Sequence, residues 1–176
     1  QAEISCAYTE MMDNFRTLLL AMLVATGLVY FILAAQFESF LMPVMVMLIL
    51  PIALSGALFG LPVTHQDLSM VVLLSLIMLV GTVVNASIVL VDYINIRRAR
   101  GMEKEDAILT ACPLRVRPIL MTTLTTVLAL IPMAVGKGEG NEMLRPMGIV
   151  MIFGMAISTV VTLLFTPVYY YMLDSL

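Results

Sequence analysis

Polar side chains set inside long apolar stretches are where this sequence could do chemistry, because each costs free energy to hold in a nonpolar surrounding. In LVGTVVNASIVLVDYIN at 79–95, Gly81, Asn85, Ile88 and Asp92 are spaced by four, three and four residues, so on a helix a small residue, an amide and a carboxylate share one face. That face is expected to look into protein; the plainer reading is that Asn85 makes a helix–helix hydrogen bond and Asp92 reaches the aqueous interface. Downstream, RVRPILMTTLTTVLALIPMAVG at 115–136 gathers Thr122, Thr123, Thr125 and Thr126 behind two arginines. Arg115 and Thr122 are seven residues apart, hence two turns apart on one face, while Arg117 points elsewhere. A guanidinium reaching toward a hydroxyl suits a proton or ion relay. Spacing alone equally allows two topology anchors followed by threonines bonded to their own backbone carbonyls.

Other patterns fail on context. GKGEGN at 136–141 lacks the GxxxxGK spacing, the following Ser or Thr and the preceding strand of a phosphate loop, and reads as an external turn. Asn85-Ala86-Ser87 matches a glycosylation sequon but lies inside an apolar stretch. His65 is the single histidine, so neither a metal-ligand cluster nor a His-based triad can be assembled, and no enzyme or metal site is expected. Cys6 and Cys112 are expected as free thiols. Sixteen methionines spread over the chain suit adaptable packing in lipid better than a metal path.

The elements that must position the polar face follow from composition. The chain has 176 residues, 61% hydrophobic and 12% charged, against roughly 45–50% and about 25% in soluble domains. Its net charge of −3, with basic residues that never run along an uninterrupted polar face, leaves no footprint for nucleic acid. Five stretches without a charge centre, 17–35, 40–61, 68–91, 118–136 and 146–173, are each long enough to cross a bilayer, which takes about 20 residues. Backbone groups in lipid must be satisfied within the segment, so the fold class is an all-α, polytopic bundle of five transmembrane helices.

Six of the nine basic residues lie between spans three and four, which assigns that connection to the cytoplasm and makes the chain N-out and C-in, ending inside at Leu176. A first span that starts outside is expected to follow an exported domain or an earlier span, and the chain reads as a piece of something longer. GMEKEDAILTAC at 101–112 has its apolar residues near one helical face and is expected as a short cytoplasmic amphipathic helix along the membrane surface, or else a solvated connector. Ala53, Gly56 and Gly60, and Gly154 with Ser158, follow small-residue spacing for close helix packing, and Gly81, the small residue of the polar face, is also expected to pack. Pro43, Pro51 and Pro132 are expected to kink or break their helices.

Taken together, LAAQFESFLMP at 33–43, the 79–95 and 115–140 segments, and STVVTLLFTPVYY at 158–170 resemble the second, C-terminal membrane half of resistance-nodulation-division efflux permeases, most closely the hydrophobe/amphiphile branch. The resemblance runs in order from about Phe15 to the end. It implies helices eight to twelve of a twelve-helix permease, with residues 1–14 the tail of the preceding external (periplasmic) domain and 15–176 the transmembrane domain. It further implies a homotrimer in the bacterial cytoplasmic (inner) membrane, a periplasmic adaptor, and export of amphiphilic compounds driven by the proton gradient, with no bound cofactor. The partner it requires is the front half of the permease, whose aspartate pair faces the relay. By that resemblance Asn85, Arg115 and Thr122 take the relay positions. Asn85 stands where drug pumps carry a lysine, and Ala86 where many relatives carry a second Asn, so the switch must lean more on Arg115. The competing reading is a solitary structural or regulatory membrane subunit that kept the helices and lost transport.

Overall fold

The computed structural model describes residues 1–173 and 175, and the chain end at Leu176 that was assigned to the cytoplasm lies outside them. The described residues form five helices: α1 (Ala2–Phe37), α2 (Leu41–Val63), α3 (Met70–Ala99), α4 (Lys104–Val135) and α5 (Asn141–Leu173). All five are long and apolar enough to cross a membrane, as the charge-free stretches require. The chain is a multi-pass membrane protein.

The helices outrun the apolar stretches that define them. α3, α4 and α5 have 30, 32 and 33 residues, so at about 1.5 Å per residue each is about 45–50 Å long, against a hydrocarbon core of about 30 Å. The reason is local: the polar continuations INIRRA and KEDAIL are themselves good helix formers, so leaving lipid does not end the helix. α3 stops where Gly101 takes φ 87°, a left-handed backbone that glycine adopts without a Cβ clash.

The segment expected to lie along the membrane surface is instead the first part of α4, continuous with the span through Pro113 and Pro118. Its apolar face is taken by protein: Ala107, Ile108 and Ala111 are buried, and Ile108 and Ala111 belong to the main core. The Tyr171 hydroxyl of α5 donates to Glu105 Oε1 at 3.2 Å, and Lys104 Nζ donates to the Tyr171 carbonyl, which pins this segment to α5. Pro43 does not break a helix either, since it falls in the first turn of α2, where its missing N–H is not needed. Pro51 and Pro132 lie within α2 and α4, which continue through them.

α5 is the hub, packed on α2, α3 and α4, while α1 joins through α3 and α2. Close approach is made by glycine. A Cβ on Gly56 or Gly60 would stand 2.7 Å from side-chain carbons of Ile157 or Phe153, and one on Gly154 would overlap Leu79. Gly81, the fourth packing candidate, meets no described residue, for a Cβ there would have nothing within 4 Å. None of the described residues covers the face it occupies.

The two thiols give a direct check on orientation. Cys6 is exposed near the start of α1, and Cys112 is half-buried in the polar part of α4. With the N-terminus outside, a membrane-impermeant maleimide should label Cys6 in intact cells and Cys112 only after permeabilisation, and then slowly. Equal labelling of both from outside would reverse the assignment.

Candidate functional site

α3, α4 and α5 line an open-sided cavity of about 180 Å³ near the middle of their lengths. α3 contributes Asn85 and Thr82, α4 contributes Thr122, Thr123 and Thr126, and α5 contributes Ser158, Thr159 and Thr162. Two of the three relay candidates, Asn85 and Thr122, are thus brought to one cavity. Both are exposed, because none of the described helices closes that side. The exposed Gly81, Asn85 and Asp92 lie along the same open side of α3, so the face expected to look into protein is left uncovered by this chain's own helices.

Most of the hydroxyls are committed. Thr122 Oγ1 donates to the Pro118 carbonyl at 3.0 Å, Thr125 to Met121 at 2.7 Å and Thr126 to Thr122 at 2.8 Å. These are the backbone bonds that threonines in membrane helices make when no better acceptor is near. Thr123 breaks the pattern, with its Oγ1 2.8 Å from Thr159 Oγ1 across the α4–α5 contact. Thr159 already gives its one proton to the Met155 carbonyl at 2.8 Å, so Thr123 is the donor of this pair. Thr162 is different again: its Oγ1 is buried and has no hydrogen-bond partner among the described residues.

Arg115, the third candidate, sits apart. Its guanidinium carbon lies 4.4 Å from the ring centroid of Tyr93, and that ring also carries Arg97 at 5.2 Å, whose Nη2 donates to the Tyr93 hydroxyl at 2.7 Å. A cation over an aromatic face is attracted by the ring quadrupole, by about 0.5–2 kcal/mol depending on desolvation. Tyr93 is eight residues beyond Asn85, so this platform stands about 12 Å toward the Arg97–Arg98 end of α3. Arg117 is exposed.

Sequence reasoning missed Tyr93 and the hydroxyls of α5. Tyr93 and Arg115 are joined only by tertiary structure, so no spacing links them. The α5 hydroxyls did carry a signal, because Thr159, Thr162 and Thr166 are spaced by three and four residues and must share a helical face.

The chain matches the family described as AcrB/AcrD/AcrF over residues 2–174. It is similar in fold to two solved structures of a heavy metal efflux pump. One, crystal form II, superimposes with TM-score 0.86 at 24% identity over 96% of this chain and 16% of its own. The other, crystal form I, gives TM-score 0.76 at 26% identity over 87% of this chain and 15% of its own. The chain spans about one sixth of the length of these pumps.

Proposed function

Because this chain belongs to the AcrB/AcrD/AcrF family, that of resistance-nodulation-division permeases, we propose that it is the helix-eight-to-twelve, C-terminal membrane part of an exporter that exchanges protons for its cargo in the bacterial cytoplasmic membrane. The observation that carries this reading is the cavity, where Asn85 and Thr122 meet a set of hydroxyls on a face that no helix of this chain covers. The front half of the same permease, with its carboxylate pair, is the partner that would close that face, and residues 1–14 would lead from the external domain into α1. The proton gradient is the energy source, and neither a bound cofactor nor a covalent reaction is called for. The working assembly would be a trimer of the intact permease, with a periplasmic adaptor.

Amphiphilic organic compounds are the proposed cargo, on the resemblance to the hydrophobe/amphiphile branch. A heavy metal ion is the second reading, favoured by the solved pumps that share the fold. Cargo would be recognised by external domains, so the helices serve either. Cells expressing the intact permease should extrude an amphiphilic dye and gain no tolerance to copper, silver or zinc; metal tolerance without dye efflux would select the second reading.

The chain alone should insert but not export, because a proton carrier needs a titratable group at mid-depth and Asp92 stands only two turns from the charged end of α3. Dye efflux from cells expressing residues 1–176 should match vector controls, whereas proton-dependent efflux by this piece would refute the division of labour.

A further inference from the structure

The α5 hydroxyls continue beyond the cavity. Thr159, Thr162, Thr166 and Tyr170 are spaced by three, four and four residues and are 5%, 1%, 1% and 0% exposed, so a single buried face of α5 carries hydroxyls from mid-length to its end. Thr159 is fully used, as acceptor from Thr123 and donor to Met155. Tyr170 is also engaged: its hydroxyl donates to Asn95 Oδ1 at 2.6 Å and accepts from Arg98 Nη1 at 3.4 Å. Between these two ends, Thr162 and Thr166 have buried hydroxyl oxygens without a partner among the described residues, and Thr162 lines the cavity.

Buried hydroxyls are ordinarily satisfied, by protein or by ordered water. A helix rises about 6 Å over four residues, and one water bridging two hydroxyls spans about 5.5 Å, so the like side chains Thr162 and Thr166, four residues apart on one face, are matched to a single-water link. The line also joins two different environments, the mid-depth cavity and the polar end of the bundle that holds Arg97, Arg98 and Lys104.

We infer that Thr162, Thr166 and Tyr170 line a water-bridged proton path along α5, from the α3–α4–α5 cavity to the cytoplasmic face. Thr162 and Thr166 each accept a proton from the water on the cavity side and give their own to the water on the far side, so one proton enters and one leaves with no net change in the chain, while Tyr170, whose proton is held by Asn95 Oδ1, bounds the path without passing a proton. Tyr170, held between Asn95 and Arg98, is the last hydroxyl before the cytoplasmic charges. This path rests on the proton-coupled reading above and adds a route on a helix that the relay of Asn85, Arg115 and Thr122 does not use.

The test uses the intact permease with Thr162 and Thr166 replaced together by Val, which keeps shape and removes the hydroxyls, and by Ser, which keeps them. Proton-coupled transport in proteoliposomes should fall about tenfold in the Val pair, the worth of about one lost hydrogen bond along the path, and stay near the parent in the Ser pair. Thermal midpoints of the purified proteins give an independent readout, and that of the Val pair should not rise, because hydrated hydroxyls are not a burden to the fold. Parent-like transport in the Val pair overturns the path, and so does equal slowing in both pairs, which would mean packing. A raised midpoint in the Val pair would show dry, unsatisfied hydroxyls and also overturn it. Arg115→Ala, run alongside, separates the failures. If it abolishes coupling while the Val pair does not, the path alone falls; if it too leaves transport unchanged, the proton-coupled reading falls with it.

Discussion

Replacing Arg115 by Ala in the intact permease should reduce proton-dependent efflux to background while leaving the protein in the membrane, and Arg117→Ala should leave most of the efflux. Seven residues at 100° each return Arg115 to within about 20° of Thr122, whereas Arg117 points roughly 140° away. Arg117 is exposed, and Arg115 is tethered over Tyr93 at 4.4 Å, on the helix that carries Asn85. A guanidinium close to a carboxylate lowers its pKa by about 1–3 units, so losing it changes proton affinity about 10- to 1,000-fold. Thr122→Ala should cost less, because the Thr122 proton is already given to the Pro118 carbonyl and water can stand in for its acceptor role. Efflux rates at matched expression decide the matter. Equal efflux from both arginine variants would leave only the anchoring role.

The second large effect concerns the hub helix. Gly154→Val should lower the thermal midpoint of the detergent-solubilised chain by several degrees, whereas Gly81→Ala should leave it unchanged or raise it slightly. A side chain at Gly154 overlaps the terminal methyls of Leu79, which is fully buried and must displace its core neighbours to move, and also presses on Ala57 at 3.1 Å from the added Cβ. Overpacking of this kind costs about 1–3 kcal/mol and more when backbone must move. At Gly81 the added methyl meets open space and removes the entropic cost of a mid-helix glycine, about 0.5–1 kcal/mol. A Gly154→Val chain with the parent's midpoint would contradict the α3–α5 packing described here.

These two sites show what was legible in the sequence and what was not. Spans were legible because hydropathy over some 20 residues is a constraint of the bilayer, independent of neighbours. Helix ends were not, because INIRRA and KEDAIL stay helical outside lipid, and the amphipathic face of 104–112 found α5 in place of the membrane surface. Small-residue spacing named Gly56, Gly60 and Gly154, where an added Cβ collides with a neighbouring helix, but spacing does not say which side of a helix has a neighbour, and Gly81 meets none among the described residues. In the cavity, spacing placed Asn85 and Thr122 on faces of their own helices. Only the fold brings them to one cavity, links Thr123 to Thr159 and sets Arg115 on Tyr93.

The proposed function is that this bundle belongs to an exporter that moves protons against cargo. Its most direct test is internal pH in proteoliposomes carrying the intact permease and an entrapped pH dye, recorded as cargo is added under an imposed proton gradient. Cargo should accelerate proton movement in the parent, and Arg115→Ala should abolish that acceleration at equal protein content. Cargo transport that proceeds at the same rate with no proton movement, in parent and variant alike, would contradict the account.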